Sequence, residues 1–169
     1  MDGSNLSYRE YKGNVVIKIR GRGTWIIGKS LKDFINKKIR EEKKIYLDLG
    51  ECESLDSTIL GIIAGFVIKG APVYLFDVKS PYLLRSIRTL GLENILPVVS
   101  SLPEISPETR EWKIPLLPVD RKEEMILITQ AHKTLVQAVP DNLARFSDVL
   151  DLLEKEEKKE LRKVTWRKR

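Results

Sequence analysis

A chain of 169 residues, 42% hydrophobic and 32% charged, holds material for one core with an appendage or two small ones. Its longest apolar run, Ile59 to Ile68, is about half of what a membrane-spanning helix needs, and its one cysteine, Cys52, excludes an intramolecular disulfide. The net charge of +6 is lopsided: from Lys155 to Arg169 eight Lys or Arg stand against three Glu, so a high isoelectric point says little about nucleic-acid binding by the body.

In chain order, Leu6 to Tyr11 reads as an edge strand, Lys12-Gly13-Asn14 as a turn, and Val15 to Arg20 as a β-prone run. Gly21-Arg22-Gly23-Thr24 breaks that run. Leu31, Phe34, Ile35 and Ile39 fall at helical spacing and predict a helix over Ser30–Lys44. Ile45 to Leu49 is a short apolar strand, expected to be buried on both faces. The next helix, Ser57 to Lys69, is apolar nearly all round, and Gly61 and Gly65 on it permit close approach of a neighbour. Gly70-Ala71-Pro72 ends it, and Val73 to Phe76 is another buried strand. Ser80-Pro81 opens a third helix, which Gly91 ends, and Asn94 to Val99 supplies a last short strand. The order β-β-α-β-α-β-α-β implies an α/β architecture with parallel pairs joined by right-handed crossovers.

Composition shifts at Ser100. Prolines at 97, 103, 107, 115 and 118 make residues 101–120 a proline-rich linker, which Trp112, Ile114, Leu116 and Leu117 pin to a domain or a partner. Residues 121–169 form a helical hairpin with a basic tail, its first helix over Arg121–Val139 and its second from Asp141 to about Arg162, with a break at Pro140. Leu143, Phe146, Leu150 and Leu153 repeat along the second helix. So small a hairpin must rest on the body, on a second copy or on another protein, and self-association is slightly favoured.

The stretch that carries function is Asp56-Ser57-Thr58. Asp, Ser and Thr cap helices, because their oxygens accept orphan backbone amides, and the triplet is in that reading a helix start. The same position tolerates a phosphate, since a helix N-terminus is partly positive and rich in free donors. A phosphoserine there adds about −1.5 to −2 charges to a docking surface without melting the helix. His132, the only histidine, stands mid-helix with no cluster at metal-ligand spacing and is set aside as catalyst or ligand. Gly21-Arg22-Gly23 lacks the spacing and the lysine of a phosphate loop, and Glu51 and Glu53 are read as shaping the charge near Ser57. No catalytic constellation, cofactor motif or metal site is read.

Over about Leu6 to Ser100 the chain resembles the STAS domain of anti-sigma factor antagonists. The resemblance rests on the element order, on Leu47-Asp48-Leu49 followed by Asp56-Ser57-Thr58 and Leu60-Gly61, and on Leu90-Gly91-Leu92. It implies a STAS-like (SpoIIAA-like) mixed sheet with helices over residues 1–100, to which the linker and hairpin are additions. It implies a non-enzymatic partner-switching protein; the cytoplasm is the expected location, from the lone Cys52 and a polar N-terminal start with no signal-peptide pattern. Its partners are an anti-sigma factor or serine kinase that binds when Ser57 is unmodified, and a phosphatase. Ser57 is then the acceptor, with Thr58 the lesser candidate. Asp56, Ser57, Thr58, Ile59, Arg22 and Thr24 form the partner-binding surface. The chain departs from that pattern in having Ile59 where glycine follows the hydroxyl pair, and Arg22 in a loop that is often acidic. Alternatives are a signalling scaffold that forms a homodimer through the C-terminal helices and, less favoured, nucleic-acid binding by the tail.

Overall fold

The structure, a computed structural model, describes residues 5–167; Met1–Ser4, Lys168 and Arg169 lie outside it, as do the side chains of 164–167. The polar N-terminal start and the end of the basic tail therefore fall outside the described residues.

Strands β1 (Leu6–Tyr11) and β2 (Asn14–Ile19) form an antiparallel hairpin. Its turn residues Lys12 and Gly13 both take left-handed backbone, φ 46° and 80°, which matches the twist of the strands they join. The chain then makes β3 (Gly21–Gly23), a 3-10 turn over Trp25–Ile27, α1 (Gly28–Arg40) and β4 (Lys44–Asp48). After β5 (Cys52–Leu55) come α2 (Ser57–Ile68), β6 (Val73–Phe76), α3 (Pro81–Thr89) and β7 (Val98–Val99). Last are β8 (Trp112–Lys113), α4 (Arg121–Ala138) and α5 (Asn142–Arg167). The main sheet has the order β7-β6-β4-β2-β1-β8, parallel across β2, β4, β6 and β7, with β1 antiparallel to both its neighbours. A separate two-stranded parallel sheet pairs β3 with β5. This is the mixed α/β architecture expected, with the C-terminal helices present.

Ile17, Leu47 and Leu75 are fully buried in neighbouring strands, under Leu31 and Ile35 of α1 and Ile59, Leu60 and Ile63 of α2. The other sheet face carries Ser7, Val16, Lys18, Tyr46, Asp48 and Tyr74, of which Ser7 and Val16 are buried. β4 therefore alternates, and the burial expected on both its faces holds for one. The proline-rich segment approaches that second face: Leu102, Pro103 and Ile105 line a cleft of about 280 Å³ with Val16, Lys18 and Asp48.

Four short strands differ from the sequence reading, and one of them, β5 over Cys52–Leu55, has no counterpart in it. Gly21–Gly23 is not a mere break but β3, because Gly21 N donates to Glu51 O and Asp56 N to Gly23 O. The last core strand shrinks to Val98–Val99, and Trp112–Lys113 pairs with Ser7 and Tyr8, so β1 is not an edge. Backbone pairing alone makes these strands, and it leaves no period in the sequence.

α4 lies along α2. A Cβ built on Gly61 would collide with the backbone of Ala131, and one on Gly65 would touch Thr134 Cγ2 at 3.4 Å. The two glycines thus admit a helix of the same chain. Leu127, Ala131 and Leu135 of α4 are buried, as is Phe146 of α5. Asn142 Nδ2 donates to Leu90 O and Leu135 O, both at 3.1 Å, and ties the hairpin bend to the end of α3. Lys29 donates to Glu123 at 2.7 Å and Lys32 to Gln130 at 3.2 Å, which adds a polar seam between α1 and α4.

Candidate functional site

Asp56 is the N-cap of α2. One carboxylate oxygen accepts from Ile59 N at 2.9 Å and the other from Trp25 N at 2.7 Å. The aspartate therefore closes the helix and also fastens the turn after β3 to it. Both its oxygens are occupied by backbone donors.

Ser57 follows as the first residue of α2 and is half-buried. Its hydroxyl lies 2.8 Å from His132 Nε2, across 75 residues of sequence. His132 is itself 6% exposed and packs against the ring of Phe146, centroids 4.6 Å apart. Its Nδ1 has no hydrogen-bond partner of good geometry. Burial holds the imidazole below the usual histidine range, while the Asp56 carboxylate and the Ile128 carbonyl pull weakly the other way. The ring is thus neutral at pH 7, so Nε2 either accepts the serine proton or donates to the serine oxygen, according to tautomer.

Thr58 is 4% exposed and Ile59 fully buried, so both side chains belong to the core and neither offers itself to a partner. Ile59 in the place of a glycine consequently adds no bulk outside the helix start. Arg22 is exposed and pairs with Glu53 at 3.5 Å; Thr24 is half-buried, and its carbonyl accepts from Ile27 N at 3.0 Å. The β3–β5 pairing and the Asp56–Trp25 bond bring the Arg22–Thr24 segment beside the start of α2. Glu51 bonds Lys18 and Arg20, both at 3.1 Å, so its charge is neutralised by the sheet and does not act at Ser57. Cys52 is buried and its thiol is pushed up to about 11 by desolvation, which leaves it unreactive.

Beside Ser57 opens a cleft of about 370 Å³, lined by Asp56, Ser57, Arg85 of α3 and Arg145 and Phe146 of α5. Both arginines are exposed, and among the described residues neither pairs with a carboxylate. Sequence reasoning missed His132 and both arginines. The histidine had a signal: it sits beside Ala131 in the buried stripe of its helix, where a polar ring must find a partner. The arginines, on exposed helix faces, had none. Among the described residues no group of His, Cys, Asp and Glu could hold a metal ion, and no helix is long and apolar enough to cross a membrane.

Neither a family model nor a curated protein matches the chain. Among solved structures, an anti-sigma factor antagonist from Mycobacterium paratuberculosis is similar at 21% identity and a TM-score of 0.50, covering 57% of this chain and 86% of that one. The anti-sigma factor antagonist SpoIIAA in its unphosphorylated form is 16% identical, with a TM-score of 0.48 over 56% of this chain and 88% of its own. At such identities the likeness concerns the fold: a little over half of this chain has the STAS fold of anti-sigma factor antagonists.

Proposed function

We propose that the chain is a cytoplasmic, non-enzymatic partner-switching protein that binds an anti-sigma factor or serine kinase when Ser57 is unmodified and releases it when Ser57 is phosphorylated. The observation that carries this reading is the placement of Ser57: first turn of α2, half-buried, its side chain lining a surface cleft while Thr58 points into the core. Ser57 is therefore the acceptor and Thr58 is not. A dianion at that point changes the sign of the surface that Asp56, Ser57 and the Arg22–Thr24 segment present. A loss of roughly 3 kcal/mol in docking weakens binding more than a hundredfold. The test is a pull-down from the native cell with Ser57→Ala and Ser57→Asp. The alanine form is expected to retain a kinase-like or sigma-regulating partner that the aspartate form loses; equal recovery by both sinks the reading.

A second reading is favoured by one observation: α5 leaves Val149 and Leu152, one turn apart on the same side of the helix, 39% and 60% exposed, as a dimerising scaffold requires. Concentration-dependent light scattering on the full chain and on Leu152→Glu distinguishes it. A monomer at all concentrations for both removes the scaffold.

A further inference from the structure

The cleft beside Ser57 is built from two parts of the molecule. Ser57 and Arg85 come from the body, on α2 and α3, and Arg145 comes from the hairpin, on α5. Neither guanidinium has a carboxylate partner among the described residues, and the Asp56 oxygens that share the cleft are already taken by two backbone amides. Unmodified, Ser57 holds the hairpin by a single hydrogen bond to His132. A dianionic group on that same oxygen would find cationic donors on both sides of the seam, with fork geometry suited to phosphoryl oxygens.

We propose that this cleft is an internal phosphoserine-binding site, in which the phosphoryl group of modified Ser57 bridges Arg85 of the body and Arg145 of the hairpin and so locks the hairpin onto α2. The inference rests on the reading of Ser57 as a phospho-acceptor. It adds how the signal is read: the phosphate is bound first by the chain that carries it. In the transfer step a kinase moves the γ-phosphoryl of a nucleoside triphosphate to Ser57 Oγ. The Oγ–P bond forms, the bond from Pγ to the β-γ bridging oxygen breaks, the nucleoside diphosphate leaves and the hydroxyl proton passes to the kinase's base or to water. Partner release then has two causes, the charge and a hairpin held more firmly against the α2 face.

The test uses the full chain with phosphoserine installed at position 57 during translation, so it depends on no native kinase. Hydrogen exchange of Arg121–Ala138 is compared in the free and phosphorylated proteins. Phosphorylation is expected to raise the protection of α4 about tenfold, and Arg145→Gln to return it to the unmodified level while leaving the unmodified protein unchanged. In a phosphorus NMR titration the phosphate is expected to take its second charge at lower pH than in the Arg85→Gln, Arg145→Gln double variant. Unchanged or decreased protection of α4, or titration identical in the double variant, overturns the proposal. Those results leave the pull-down outcome untouched, so failure of the internal site and failure of partner switching are separable.

Discussion

Asp56, next to Ser57 in the chain, and His132, which reaches it from α4, do different work. Asp56 is structural twice over, since it caps α2 and holds the Trp25 amide. Asp56→Ala is expected to destabilise the protein by about 1–2 kcal/mol, read in urea unfolding; an unchanged midpoint would deny it the cap. His132 is held neutral by burial, its folded affinity for protons lying below the unfolded value. A group depressed in this way supports the docked state fully above its unfolded pKa, about 6.5, and that support erodes as pH falls from there towards the lowered folded value. Protection of 128–135, corrected for intrinsic exchange, is expected to decline from pH 7 to pH 5. His132→Gln keeps a partner for Ser57 without a titrating group and should flatten that decline; the same slope in both proteins would place the titration elsewhere.

At the scale of elements, the seat of α4 on α2 depends on the missing side chain at position 61. Gly61→Ala drives a methyl group into the Ala131 backbone, where no flexible side chain can yield. α4 is expected to lift while the strands stay folded, so limited proteolysis should cut within 121–142 and leave the body intact. An unchanged digestion pattern would show that the helices have slack. The glycine spacing was legible in the sequence as a device for close approach, and so were the caps at Asp56 and Ser80, because helix ends and close crossings demand particular residue types. The Ser57–His132 bond was not legible, since no local rule links residues 75 apart. Nor were β3, β5 and β8, which exist only because a neighbouring backbone offers them hydrogen bonds.

Over the whole molecule, the linker is held by a charged knot on the sheet. Glu111 accepts from Ser7 at 2.5 Å and from Arg20 at 2.6 Å, and these bonds hold its carboxyl down at about 2. Being depressed, it contributes stability in full above the unfolded value of 4.5, and that contribution is lost as pH falls from there through about 2. Protection at residues 111–114, corrected for intrinsic exchange, should fall across that window. Glu111→Gln should bring the lowered protection to neutral pH and remove its pH dependence; a variant as protected as the parent would show that the β1–β8 pairing needs no charge. The sequence marked this segment by its prolines and its apolar residues, and Trp112 and Ile114 do lie at or next to the strand that joins the sheet. The partner of Glu111 was hidden because Arg20 lies 91 residues away. The pairing of β8 has a cost for any molecule that loses it. Once Trp112–Lys113 peels away, β1 bares a row of unsatisfied amides and carbonyls beside an open, tyrosine-bearing sheet face, and a nick between 101 and 111 would leave the protein ready to add foreign strands and seed aggregates.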